Sequence, residues 1–512
     1  MKRIILPILL FCATLSISAQ EYLHINSHWH ENYIFIDEID SIAYGEMSYQ
    51  SMLPAIMAED PNISIFNEAL QLTHLCDSML DYYDYNYRVE HGFVKQASFQ
   101  NAKYYGVPTI RKGYTVFVEP DSVYAKYGIH NIADLKAYAA RVYDEMYPED
   151  ANISDPTDRR NSLNRFVAYH ILEVQSHKQN LTAAKTMSSS SGRYLEYKYI
   201  AGIDISEWYE TMMPHSLMKC TAPYNNRSTV FINSCGEANP LRGETSLDIK
   251  GAEVTNYSIS AINGFCHYIS DIIAYDKQTQ TVVLDEQIII NNATMSPEII
   301  NNNLRLNFPY YTSVGGVPTN AVYLPEGSLK NFKSHSPYTE IYYLYADGWS
   351  DYQADEMMVS GNFDFSIKLP SVPAGTYELN LGCNVYAARP IVACYLDEVP
   401  CDTLDITYNS EFYKNWVSDY DLETSEAIAQ NDSLLFSNGY RKGLFYYLGG
   451  NYSGKTTMRD GQYCTRAIIT TFTTDGKSDH YLRFKSLDER TYMEFHIDFL
   501  ELCPTHLLKE YK

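Results

Sequence analysis

A chain of 512 residues exceeds what one hydrophobic core usually serves, so two domains with a small N-terminal addition are expected. With 63 Asp and Glu against 39 Lys and Arg, the formal net charge of −24 gives a field of the wrong sign for phosphate, which argues against a nucleic-acid partner. The 47 Tyr against 4 Trp favour a side chain that packs its ring and keeps its hydroxyl wet, as suits β-rich domains with large exposed faces.

Residues 1–19 read as a secretory signal: Lys2 and Arg3 are the positive end, Ile4 to Ala13 the apolar run, and Ile17-Ser18-Ala19 a cleavage site before Gln20. Cys12 raises lipid attachment as an alternative, but the bulky Phe11 before it and Pro7 within the apolar run favour cleavage. The apolar run is too short to span a bilayer and no later segment is long and apolar enough, so the expected location is secreted or envelope-associated. Nine cysteines remain once Cys12 is removed, an odd number without a C-x-x-C pair, which argues against a zinc ribbon and a fully paired framework. Cys220 with Cys235 and Cys394 with Cys401 are the candidate disulfides, and buried free thiols are expected for most of the rest.

The segment 20–49 carries His24, His28 and His30. His24 and His28 could meet on a metal if the stretch were helical, but nothing marks a helix there and no metal is expected. From Leu53 apolar residues recur at helical spacing, with a break at Asp60-Pro61-Asn62. Alternating Tyr114, Val116 and Val118 predict a strand that Pro120 ends and Asp121 caps onward. Asn131 and Asp134 open a helix through Tyr143, and a further helix in 166–172 runs out near His170.

Five blocks follow one another: Ser64–Leu70, Tyr114–Asp121, Ile132–Leu135, Phe166–Leu172 and Asn263–Ile273. In that order they resemble the fasciclin-like domain family, with Thr115, Phe117, Asp121, Tyr169, His170, Asn263, Gly264, His267 and Ile269 at matching positions. The resemblance covers residues 50–276 and implies an α+β fold with an adhesive role around Tyr169 and His170. The chemistry of His170 also allows a buried ring that bonds a carbonyl and ties the helix end to the sheet. Glu119 stands where the family has proline, with Pro120 one place later, and Ser270 stands where it has Asp. Extra material lies around 81–105 and 145–160.

Residues 277–300 read as a connector. Over 301–512 the helical period nearly disappears and strand signals come at short intervals, such as Phe363-Asp364-Phe365-Ser366-Ile367 and Tyr377-Glu378-Leu379-Asn380-Leu381. These predict an all-β jelly-roll sandwich. Its phrases Val372–Tyr377, Ile391–Asp397 and Glu494–Leu502 are similar to galactose-binding-like domains.

Gly449–Thr456 fits G-x-x-x-x-G-K-T, but no helix pattern follows it, so a loop between strands is expected. Trp349 and Trp416 lie in polar, loop-like surroundings and are the candidate sugar-stacking residues; the alternative is a ring partly buried at the sandwich edge. A ligand is sought at these tryptophans and in the loops around 81–105. There is no G-x-S-x-G elbow, H-E-x-x-H or EF-hand loop, and no acid pair is marked as catalytic. The expected function is non-enzymatic adhesion or ligand binding at a bacterial envelope, to a surface, matrix or glycan ligand and without a cofactor. The alternatives are an accessory glycan-binding component of polysaccharide capture and, more distantly, a glycoside hydrolase.

Overall fold

A computed structural model describes residues 22–27, 30–35, 51–90, 93–99, 102–182, 204, 206–222, 229–235, 249–305, 321–345, 351–353, 355–444 and 457–509. Tyr22–Ser27 (β1) and His30–Phe35 (β2) pair antiparallel. His24 is therefore on a strand, not on the helical turn that a metal pair with His28 needs, and His28 lies outside the described residues.

From Ser48 to Lys512 the chain is one compact unit. Its first part begins with Leu53–Ala58 and Ser64–Leu72, short helices joined by the turn at Pro61. Ser64–Leu72 buries Ile65, Phe66, Ala69 and Leu70, the one-sided spacing of an amphipathic helix. The Asn131 side chain accepts from the Ala133 and Asp134 amides and so starts Ile132–Met146. Asn161 does the same for Ser162–Tyr169, whose last residue precedes His170.

Val94–Gln96 (β3) and Lys103–Tyr105 (β4) form a hairpin. Tyr114–Val118 (β5), Ile171–Leu172 (β6), Ser206–Glu210 (β7), Leu217–Thr221 (β8), Val230–Ile232 (β9), Ala252–Ala261 (β10) and Gly264–Ile269 (β11) build a mixed sheet in the order β6-β5-β11-β10-β9-β8-β7. Among the described strands of this sheet only β5 and β11 run parallel, with Tyr114 opposite Gly264 and Val118 opposite Tyr268. All five residues of β5 are buried, as expected of a strand covered on both faces.

The remaining strands are Ile288–Asn291 (β12), Ala321–Leu324 (β13), Phe332–Ser334 (β14), Glu340–Tyr345 (β15), Asp355–Ser360 (β16), Asp364–Lys368 (β17), Gly375–Asn384 (β18) and Ile391–Leu396 (β19). They continue with Val399–Pro400 (β20), Leu404–Asp405 (β21), Tyr440–Lys442 (β22), Cys464–Thr474 (β23), Tyr481–Ser486 (β24), Phe495–Ile497 (β25) and Phe499–Pro504 (β26). One sheet has the order β12-β26-β18-β23-β22 and a second β14-β17-β24-β19-β20, with β21 also on β19. Leu379, Leu381 and Ile469 of the first share one buried cluster with Phe365, Ile367, Leu482 and Phe484 of the second, so the two form a sandwich. A third sheet runs β13-β15-β16-β25.

Three expectations need correcting. The connector expected over 277–300 holds β12, which pairs with β26 from Ile288 opposite Leu502 to Asn291 opposite Phe499. The 81–105 region is not a set of open ligand loops, because its hairpin clamps onto the third sheet. Val107 N donates to Tyr323 O (3.1 Å), Ser98 N donates to Glu340 Oε2 (3.0 Å), and Phe99, Tyr104 and Tyr342 pack their rings together. Between β21 and β22 the chain forms the helix Ser425–Ser437, which buries only Asn431 and Leu435 and so lacks the apolar stripe that marks a helix in sequence.

Among the described residues Cys220, Cys394 and Cys401 are free thiols, so neither candidate disulfide is formed. Among the described residues no helix is long and apolar enough to cross a membrane.

Candidate functional site

The residues that carry the fasciclin-like resemblance meet around the β5–β11 joint. Thr115 Oγ1 donates to Val174 O (2.6 Å) and accepts from Ser176 N (3.0 Å). Phe117 is fully buried, with its ring 6.0 Å from that of His267. Asp121 accepts from Ser64 N and Ile65 N (3.2 Å each) and from Ser64 Oγ (2.6 Å), and so caps the Ser64–Leu72 helix across 57 residues of chain. Asn263 donates to Met79 O (2.7 Å) and accepts from Leu53 N (2.8 Å). A Cβ on Gly264 would stand 2.1 Å from Tyr114 O, so only glycine allows the parallel strand so close. The Tyr169 hydroxyl donates to Leu217 O (3.2 Å) and accepts from Asn233 Nδ2 (2.9 Å).

His170 Nδ1 lies 2.7 Å from Phe166 O, which can only accept, so Nδ1 carries a hydrogen. Its Nε2 lies 2.9 Å from Glu119 Oε1, and these two atoms share one proton. Glu119 also accepts from Ile273 N (3.1 Å) and from the Tyr124 hydroxyl (2.8 Å). His267 Nε2 donates to Ser176 O (3.0 Å), while burial, ahead of the neighbouring His177 and Lys178, holds this ring down to about 4. Tyr169, His170 and Glu119 are fully enclosed, so a partner in solution cannot touch them. Their role is to join helix, turn and sheet. Sequence reading missed Glu119, although an acid directly after an apolar strand is itself a signal.

A cleft of about 130 Å³ lies between this part and the sandwich, lined by Glu173, Glu210, His215, Lys330 and Lys368 among others. Lys330 Nζ sits 2.7 Å from Glu173, Lys368 Nζ 3.1 Å from Asp479, and Glu210 accepts from Ser371 N and Oγ (3.1 and 3.0 Å). Burial pulls both lysines down, but these carboxylates outweigh it and leave them above the ordinary value. The charges compensate one another, and the volume is well under the roughly 300 Å³ at which small-molecule pockets begin.

A second polar cluster is inside the sandwich half. Asp351 Oδ1 accepts from Asn384 Nδ2 (2.5 Å) and Asp498 from Tyr352 N (2.9 Å); Asp355 accepts from Asn291 Nδ2 (2.6 Å) and the Tyr343 hydroxyl (2.8 Å). Glu356 Oε1 lies 2.7 Å from His496 Nδ1. Burial first, then the mutual repulsion of these acids, raises Asp351 and Asp498 well above the ordinary carboxylate range. All four acids are buried, whereas a glycosidase pair faces an open cleft. Among the described residues no group of three or more His, Cys, Asp or Glu is arranged to hold a metal ion.

Among the described residues, four tyrosines cluster at one end of the sandwich. Tyr386 follows β18 and Tyr463 precedes β23, neighbouring strands that meet at Asn384 opposite Cys464. Tyr408 and Tyr413 come from the loop and the Glu411–Asn415 helix after β21. Ring centroids are 5.3 Å apart for Tyr386–Tyr408, 4.5 Å for Tyr408–Tyr413 and 6.5 Å for Tyr413–Tyr463. Tyr386 is 49% and Tyr463 46% exposed, and Tyr408 and Tyr413 are half-buried. Backbone bonds fix the platform: Val385 N donates to Tyr463 O (2.8 Å) and Tyr386 N to Ile406 O (3.2 Å). The Arg389 guanidinium stands 5.7 Å from the Tyr386 ring centre. Desolvation by the crowded rings, then the neighbouring phenols, pushes Tyr408 up to about 12, so its hydroxyl stays a donor at neutral pH.

Trp416 caps the C-terminal end of the Glu411–Asn415 helix, half-buried against the main core, and its indole Nε1 is buried without a hydrogen-bond partner. It is therefore packed against the protein and does not offer the exposed stacking face expected from its polar neighbours. Trp349 and Gly449–Thr456 lie outside the described residues. The tyrosine platform escaped sequence reading because its members are spread over 386–463 and are brought together only by strand pairing.

No protein-family model matches the chain, and no curated protein matches it. Among solved structures, the chain is similar to a Paenibacillus xanthan lyase at 7% identity and a TM-score of 0.18, over 61% of this chain and 23% of the lyase. It thus spans under a quarter of that protein's length. It is also similar to the insecticidal crystal protein Cry2Aa, at 8% identity and a TM-score of 0.19 over 75% of this chain and 69% of that one. A third similarity is to the exo-β-1,3-galactanase of Phanerochaete chrysosporium, at 9% identity and a TM-score of 0.17 over 62% and 73%. TM-scores this low carry no argument about fold or activity.

Proposed function

We propose that the chain is an exported, non-enzymatic binding protein of a bacterial envelope, whose sandwich takes a neutral glycan on Tyr386, Tyr408, Tyr413 and Tyr463. The observation that carries this reading is the platform itself: four adjoining rings at an open edge, each with a hydroxyl. A pyranose has an apolar C–H face that stacks on an aromatic ring and a rim of hydroxyls that phenols can bond. A net charge of −24 repels polyanionic chains, which favours an uncharged sugar.

In this reading residues 50–276 are a fasciclin-like α+β part. The parallel β5–β11 joint, the Asp121 cap and the glycine-only approach at Gly264 support it. The part serves as a rigid support, and residues 301–512 form the jelly-roll that does the binding. Export rests on the signal-like residues 1–19.

The test is a screen of neutral and acidic polysaccharides, followed by titration calorimetry on the hits with the full chain and with Tyr386→Ala/Tyr463→Ala. The double variant is expected to bind at least about tenfold more weakly, about 1.4 kcal/mol, with an unchanged melting temperature. Full-strength binding by the double variant, or no binding to any neutral glycan, would sink the proposal. Turnover of a bound glycan would move the protein among the hydrolases.

A further inference from the structure

We infer that Cys394 and Cys401 are a reversible disulfide site across the edge hairpin of the sandwich. In the β19–β20 hairpin Leu396 faces Val399 and Tyr395 faces Pro400, so the next position sets Cys394 opposite Cys401. The bond from Cys401 N to Cys394 O (2.9 Å) confirms that alignment. Asp397 and Glu398 form the turn, both with left-handed backbone (φ 50° and 64°), the two-residue geometry that fixes hairpin register. Directly opposed residues project from the same face of the sheet.

The expected Cα separation of about 5.5 Å for a hydrogen-bonded pair lies within the roughly 4.4–6.8 Å a disulfide spans. Both side chains pack on the same core cluster, with Cys394 enclosed and Cys401 half-exposed. By contrast, Cys220 faces Ile232, and Cys235 pairs with Ile249, so the other candidate pair is out of register.

Hydrogen-bonded pairs hold their Cβ atoms near the wide end of the cross-strand range, about 5.5 Å, so the hairpin must give for the bond to close. Cys401 lies between β20 and β21, where the edge ladder is interrupted. A bond formed this way is readily reduced.

The accessible Cys401 thiolate attacks a small-molecule disulfide, forming a mixed disulfide and releasing one thiol. Cys394, as thiolate, then attacks the Cys401 sulfur and expels the second thiol. The protein loses two protons and two electrons, and the oxidant's disulfide becomes two thiols. Burial raises both thiols, so the exchange is slow at neutral pH and accelerates as pH rises.

The experiment equilibrates the full chain with oxidised and reduced glutathione mixtures, alkylates it, and analyses tryptic peptides. Trypsin does not cut the Arg389–Pro390 bond, so one peptide, from Leu369 to Lys414, carries Cys383, Cys394 and Cys401. In oxidising mixtures that peptide should lose two hydrogens and take one alkyl group, placed on Cys383 by fragmentation; reductant should restore all three alkylation sites. Peptides carrying the other cysteines should stay fully alkylated throughout. In Cys401→Ser the peptide should retain two alkylatable thiols, Cys383 and Cys394, at every ratio. Full alkylation of the wild-type peptide in oxidising mixtures, or a link from Cys394 to Cys383, would overturn the proposal.

Discussion

The two parts of the compact unit bury histidine and carboxylate in opposite company. At the β5–β11 joint, His170 and Glu119 have each remaining hydrogen-bonding atom engaged by Phe166 O, Ile273 N or Tyr124. In the sandwich half, His496 and Glu356 lie among Asp351, Asp355 and Asp498, where acids outnumber bases and Asp351 Oδ2 has no partner. A buried pair with complete bonding is a joint, whereas a buried excess of one sign makes stability depend on protons. The pH response should therefore have opposite slopes in the two parts.

The largest effect should come from breaking the joint. Glu119→Ala leaves Nε2 of His170 buried and unpaired and should lower unfolding free energy by about 3–5 kcal/mol in urea titrations. Glu119→Gln, whose amide can still donate to that nitrogen, should lose clearly less. Equal losses would mean that the pair is not what holds the helix end.

Next comes His267. Its folded value is lowered to about 4 from an ordinary 6.5, so between these values the unfolded chain binds the extra proton. The contribution is complete above pH 6.5 and is lost as pH falls toward 4, up to about 3 kcal/mol. His267→Gln should flatten that limb of a stability–pH curve.

Asp351 has the opposite sign. Its raised folded value means the folded state keeps a proton that the unfolded state releases above its ordinary value near 3.8, so stability falls as pH rises through that window. Asp351→Asn keeps an oxygen for Asn384 and removes the charge. It should stabilise the protein at neutral pH by about 1 kcal/mol or more and flatten the decline. Destabilisation at pH 7 would show that the acid cluster is held by something other than protons. The smallest effect should be Asp121→Ala, with about 1 kcal/mol lost at the capped helix, measured by thermal unfolding.

Much of the first part was legible because its signals are local. The alternation in Tyr114–Val118, the cap at Asn131 and the apolar spacing of Ser64–Leu72 each specify their own element. What was not legible depends on long-range pairing. Ile288-Ile289-Ile290 is as good a strand as any in the chain, but only β26, over 200 residues later, gives it a partner. Glu119 reads as a departure from a motif until His170 is folded against it. The tryptophans drew attention through their polar neighbours, yet Trp416 turns inward while tyrosines without a local pattern gather at the surface.

The placement of β12 has a practical consequence. A second half begun at residue 301, where the sequence suggests the sandwich starts, would lack Ile288–Asn291. Strand β26, with all six residues buried in the intact chain, would then become the sheet's bare rim. Its unpaired amides and carbonyls would invite the same strand of another molecule, and the fragment would aggregate. Starting ahead of Ile288 keeps that rim covered.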